Sequence, residues 1–132
     1  MKGSGNMSTA LVLEGGGMRG MYTSGVLDVM LEREIPVDGI LGVSAGALFG
    51  VNYFSGQRGR AIRYNLKYAG DKRYMGVRSL IRTGNLIGRE FAFYEVPFTL
   101  DVFDEGAFER SGGAFYAVIT NVRTGQAEYV KI

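Results

Sequence analysis

Gly42-Val43-Ser44-Ala45-Gly46 is a G-x-S-x-G pentapeptide set between an apolar run, Ile40-Leu41, and a segment, Ala47-Leu48-Phe49-Gly50-Val51, that reads as the start of a helix. Strand, tight turn and helix in that order are the setting of a nucleophile elbow, a bend that lifts a serine hydroxyl out of the chain. The flanking glycines have a steric purpose. A serine in so sharp a bend holds a strained backbone, and a Cβ at either glycine would crowd the neighbouring chain. The helix that follows places its positive dipole end at the hydroxyl, where negative charge develops during acyl transfer. The pattern alone is weak, because glycine- and serine-rich turns are common; the strand and helix around it strengthen it.

Upstream, Thr9-Ala10-Leu11-Val12-Leu13-Glu14 reads as a buried strand and runs into Gly15-Gly16-Gly17-Met18-Arg19-Gly20. Three glycines after a strand leave bare backbone N–H groups beyond its C-terminal end, a nest suited to an anion or to the oxyanion of an acyl-transfer intermediate. Arg19 could anchor that loop or face an anionic head group. A plain strand-to-helix turn explains the glycines equally well. Gly15-x-Gly17-x-x-Gly20 also fits a dinucleotide fingerprint, but that reading needs an acid at the end of the next strand. Asp38 precedes that strand instead, so the fingerprint reading is poor.

Taken together, Glu14-Gly-Gly-Gly-Met-Arg-Gly20, Gly25-Val26-Leu27 and Asp38-Gly-Ile-Leu-Gly-Val-Ser-Ala-Gly-Ala47 resemble the patatin-like phospholipase family in its bacterial form. The resemblance is close from residue 8 to about 52 and loose beyond. It implies an α/β fold of the patatin-like three-layer α/β/α kind with a central, mostly parallel sheet, incomplete in this chain. It also implies a Ser–Asp dyad and hydrolysis of lipid acyl esters, with phospholipid or another acyl ester as substrate. By position, Ser44 is the nucleophile, Gly15, Gly16, Gly17 and Arg19 form the oxyanion loop, and Gly42, Val43, Ala45 and Gly46 complete the elbow. No cofactor and no metal are implied.

The composition supports a dyad independently. The chain contains no histidine, so a Ser–His–Asp relay cannot be assembled from it. The family's aspartate lies in a downstream Asp-Gly motif, and none follows the elbow in a suitable place. Asp38-Gly39 occupies the start of the elbow strand, and Asp104-Glu105-Gly106 reads as a helix N-cap. We therefore expect residues 8–132 to be the N-terminal part of a catalytic domain, inactive alone, behind a flexible leader or cloning remnant at 1–7. Two other classes stay open: a non-catalytic lipid- or membrane-binding module, and, more remotely, a nucleotide-binding protein.

With 132 residues, 46% of them hydrophobic, the chain can bury a core. It has no cysteine and no apolar run long enough to span a bilayer, which fits a cytoplasmic protein, peripheral to the membrane at most. Further helices are expected at 18–34, with Met18, Tyr22, Val26, Val29 and Met30 on its apolar face, at 45–54, and at 58–69, with Ile62, Leu66 and Ala69 inward. Short helical pieces are expected near 88–94 and 104–110, and strands at 115–122 and 127–132. Residues 58–89 are rich in arginine and lysine and residues 90–109 in acids. A basic membrane-facing surface and mutual pairing both account for this, and pairing is favoured because the net charge is only +2. No nucleic-acid-binding module is present. Phe91, Phe93, Tyr94, Phe98 and Phe103 suit either core packing or an acyl-chain groove.

Overall fold

A computed structural model describes residues 8–76, 79, 81, 84 and 87–132. Four strands, β1 (Ala10–Leu13), β2 (Gly39–Val43), β3 (Ala114–Thr120) and β4 (Ala127–Lys131), form one sheet in that spatial order. The first three run parallel and β4 joins β3 antiparallel through a short turn. In that turn Asn121 Oδ1 accepts the amides of Arg123 and Thr124, while Gly125 takes a φ of 72°. The expected strands are all present, within a residue or two of their ends.

Register sorts the strand residues onto two faces. Leu11, Ile40 and Phe115 lie side by side, and with Leu13 they face α1 (Gly20–Glu32) and α2 (Ala45–Phe54). Leu13, Leu27, Ile40, Tyr53 and Phe115 make the main core there. The opposite face carries Val12, Leu41, Tyr116 and Tyr129, and Val12 is 72% exposed. Among the described residues no helix covers it, although parallel sheets are ordinarily covered on both faces. The architecture is therefore α/β with a mostly parallel sheet, of which the described residues supply the sheet and one helical layer.

The first helix departs from expectation in which face it buries. Its inward residues are Gly20, Ser24 and Leu27, whereas Tyr22, Val26 and Val29 stand exposed. Small residues win because α1 lies tight against α2: a Cβ on Gly20 would sit 2.7 Å from the Phe49 ring. A short 3₁₀ turn, Gly17–Arg19, precedes this helix. It ends before Glu34, which takes a φ of 51° while its amide bonds Leu31 and that of Ile35 bonds Met30. These two bonds form a Schellman stop, with Pro36 just beyond.

Beyond α2 the chain forms α3 (Arg60–Tyr68), a wide π-helical segment (Phe91–Leu100) and α4 (Glu105–Arg110). Helix α3 also turns an unexpected face inward. Ala61, Asn65 and Tyr68 are buried and Leu66 and Ala69 exposed. Asn65 can be buried because both ends of its amide are satisfied, by Ala61 O at 2.8 Å and by the Tyr74 hydroxyl at 2.6 Å. Tyr68, Tyr74, Phe91 and Val96 form a second, smaller core. Asp104 caps α4 by accepting the Ala107 amide, as the sequence suggests.

Candidate active site

Because β1 and β2 are parallel and Leu13 pairs with Gly42, both strands deliver their C-terminal loops to the same place. The glycine loop and the elbow meet there. A Cβ on Gly15 would stand 3.0 Å from the Ser44 Cβ and 3.3 Å from Val43 O, so a side chain there would press the two loops a few tenths of an ångström apart. A Cβ on Gly46 would meet the Leu13 and Glu14 carbonyls, the latter at 2.8 Å, and one on Gly42 would lie 2.6 Å from Ala47 Cα. The elbow glycines thus have steric causes visible in the fold.

Ser44 itself has φ 51° and ψ −118°, a backbone conformation that a non-glycine residue adopts only at a cost of about 1–3 kcal/mol. Its carbonyl starts α2 by accepting the amides of Ala47 and Leu48, and its side chain is exposed at the first turn of that helix. No described group hydrogen-bonds its hydroxyl. On the other side, the Gly15 and Gly16 amides find no acceptor among the described residues. Gly17, with φ 54°, turns the loop into the helix. Arg19 folds back over Gly16, near enough that a Cβ on that glycine would be 3.7 Å from the arginine Nε.

A cleft of about 650 Å3 opens beside Ser44. Gly17, Met18, Ala45, Leu48 and Phe49 wall one side, and Tyr64, Asn65, Tyr74 and Arg89 supply polar groups on another. Burial, above all, raises the pKa of the Tyr64 and Tyr74 hydroxyls above the ordinary tyrosine value. Across Leu48, Tyr64, Ala92 and Phe93 lies a second, mainly apolar cavity of about 340 Å3. Its floor includes the buried Arg60. That guanidinium donates to Asp101 O twice, at 2.6 and 3.0 Å, and to Asn52 Oδ1 at 3.0 Å, with the Tyr64 and Phe103 rings against its faces. Burial pulls the Arg60 pKa below its ordinary value, while Tyr64 and Asp101 oppose the shift.

Of the sequence candidates, Gly15, Gly16, Gly17 and Ser44 come together, with Gly42, Val43, Ala45 and Gly46 holding the turn. Arg19 packs on the loop without lining the cleft. Asp38 is elsewhere, accepting the Thr9 amide at 2.7 Å where β1 and β2 begin. Among the described residues lining the cleft there is no carboxylate, and no cluster of metal-ligating side chains occurs among the described residues. Tyr64, Asn65, Tyr74 and Arg89 carried no signal in the sequence, because their place depends on how α3 and the following segment pack. The aromatic group divides: Phe91 is in the second core, whereas Phe93, Phe98 and Phe103 border the cavities. Arg58, Arg63 and Arg73 pair with Glu32, Asp101, and Asp71 and Glu95. Arg78 and Arg82 lie outside the described residues.

Residues 11–119 match the patatin-like phospholipase family. The chain belongs to that family. It is 34% identical over 106 residues to an uncharacterized Escherichia coli protein, YjjU, covering 74% of this chain and 30% of that protein. It is 30% identical over 133 aligned positions to a protein of Aspergillus niger named lysophospholipase nte1, covering 92% of this chain and 8% of that one. The chain thus spans less than a third of the length of either relative. No solved structure matches. Among the described residues no helix is long and apolar enough to cross a membrane.

Proposed function

We propose that these residues supply the nucleophile and oxyanion loop of a serine hydrolase acting on lipid acyl esters. The observation that carries this reading is Ser44 itself, strained, exposed and unbonded at the start of α2 with the Gly15 backbone beside it. Ser44 Oγ attacks the ester carbonyl carbon as its proton passes to a carboxylate. The Gly15–Gly17 amides hold the oxyanion of the tetrahedral intermediate, each donor worth roughly 2.7–4 kcal/mol in such sites. Collapse expels the alcohol, which takes the proton back; water, giving a proton to the same carboxylate, then attacks the acyl-serine, and the fatty acid leaves as Ser44 Oγ recovers that proton.

The carboxylate in this scheme is an aspartate outside the 132 residues, and the chain alone is inactive. The relative named a lysophospholipase supports a phospholipid or lysophospholipid substrate. Arg89, which has no described ion-pair partner, provides a cation inside the cleft for a phosphate-bearing head group.

A chain extended to include the downstream aspartate should hydrolyse a lysophospholipid, and Ser44→Ala should lower that rate about 10⁴-fold or more while leaving the melting temperature nearly unchanged. An equal rate in both proteins would remove Ser44 from the mechanism. A second reading, lipid binding without hydrolysis, is favoured only by the carboxylate-free cleft. Vesicle binding by the extended chain with no turnover of any acyl ester would select it.

A further inference from the structure

Met18, Leu48, Ile87 and Phe93 line the Ser44 cleft and still stand open to solvent, and Phe98, 68% exposed, continues the row over the adjoining cavity. Such a collar of apolar side chains is costly to leave in water and marks a surface that meets something apolar. The π-helical winding produces it. Bonding from i to i+5 brings the chain back to one face after about five residues. Phe91 and Val96, five apart, are therefore both buried, while Phe93 and Phe98, also five apart, both point outward.

We propose that this collar is the face by which the protein sits on a phospholipid surface, with Phe98 and Phe93 entering the acyl region at the mouth of the cleft. The inference rests on the lipid-ester reading of Ser44, since continuity with that cleft is what singles out lipid. Leu48 and Phe93 each border both cavities and the outer surface, so an ester leaving a bilayer through the collar reaches Ser44 without crossing water. The basic residues are a poorer anchor. Arg58, Arg60, Arg63 and Arg73 are engaged with carboxylates, which leaves Lys67, Lys72 and Arg89 as the described cations of this stretch without a described ion pair. The bare sheet face is a different kind of surface, a ladder of strand side chains on the side away from α2, and it does not border the cleft.

The chain contains no tryptophan, so a single Phe98→Trp substitution reports on this spot alone. With vesicles of zwitterionic phosphatidylcholine, its emission should shift to the blue and be quenched by brominated acyl chains, and both effects should persist in molar salt. Val122→Trp, on the β3–β4 turn, should show neither. Phe98→Ser should weaken co-sedimentation with the same vesicles roughly tenfold to a hundredfold, the range for removing one buried aromatic ring from an apolar phase. The proposal is overturned if the reporter at 98 is not quenched, or if quenching requires anionic lipid and vanishes with salt. It is also overturned if emission is already blue without lipid and changes with protein concentration, which would mean that the collar is covered by a second copy. Fluorophosphonate labelling of Ser44 in the chain extended to include the downstream aspartate separates the two readings. Quenching without labelling would leave a lipid-docking surface and sink the hydrolase alone.

Discussion

Between Thr9 and Phe54 the chain's path depends on several approaches that only glycine permits, whereas between Gln57 and Asp104, where Gly88 against the Arg73 carbonyl is the one such approach among the described residues, it depends mainly on polar side chains meeting across dozens of positions. In the first region Gly42, Gly46 and Gly20 each stand where a methyl group would strike backbone or a packed ring, and one at Gly15 would crowd Ser44. In the second, Arg60 and Arg63 reach the carbonyl and carboxylate of Asp101, and Gln57 bonds Val102 O and the Asp104 amide. The difference is one of tolerance. Backbone collisions cannot be relieved by a rotamer change, but a polar network can lose a member and relax.

The harshest test of the first region is Gly46→Ala. Its added methyl meets the Leu13 and Glu14 carbonyls, which β1 and the glycine loop hold in place. The expected cost is about 5 kcal/mol or more, at the extreme end for one substitution. Urea denaturation should show no cooperative transition, and a normal transition would mean that the elbow can spread.

Arg60→Ala tests the second region. It leaves Asn52 Oδ1 and Asp101 without their buried donor and removes the cation between two rings, for an expected loss of about 3 kcal/mol. Hydrogen exchange should rise chiefly over residues 91–103, with β1 and β2 protected as before. Uniform loss of protection would show that the two regions unfold as one unit.

This contrast also explains which parts of the protein can be read from its sequence. The strands, elbow and glycine loop are visible because glycine spacing and β-branched runs are local marks of backbone geometry. The inward faces of α1 and α3 are not. Apolar periodicity points to Tyr22, Val26 and Leu66, yet the fold buries Gly20, Ser24 and Asn65. Close helix packing rewards small residues, and Asn65 is buried because Tyr74, nine positions on, completes its hydrogen bonds. Nor does any pattern foretell a π-helical turn with Pro97 inside it, since its course is set by Phe91 and Val96 seeking the second core. Ser44 was legible, but the polar wall of its cleft was not.

A milder way to separate the regions is alkaline pH. Free tyrosine ionises near 10.0, and burial raises Tyr64 and Tyr74 above that value in the fold. The unfolded chain therefore gives up these protons first. The contribution is intact below pH 10 and is lost as pH climbs past it, at up to about 1.4 kcal/mol per pH unit for each tyrosine. Denaturation midpoints should be level from pH 7 to 9 and fall by pH 11, less steeply in Tyr74→Phe. If Tyr74→Phe falls as steeply as the parent, Tyr74 ionises in the folded protein as freely as in water.

The smallest effect bears on Ser44, the proposed nucleophile. Ser44 holds its φ of 51° because Gly42 and Gly46 let the turn close so tightly, and the strain is stored in the serine. Glycine at this position would release about 1–3 kcal/mol of that strain and give back about 0.5–1 kcal/mol through the greater freedom of the unfolded chain. Ser44→Gly should therefore be more stable than the parent by about 1 kcal/mol, a few degrees in melting temperature. Ser44→Ala keeps the Cβ and the strain, and should melt with the parent. The pair isolates backbone from hydroxyl, because both variants lack Oγ and only one lacks Cβ. Equal melting temperatures for the two would mean that the turn stores no strain at residue 44. A gain confined to Ser44→Gly would show a fold that keeps its serine in place against its own stability, as a site selected for chemistry does.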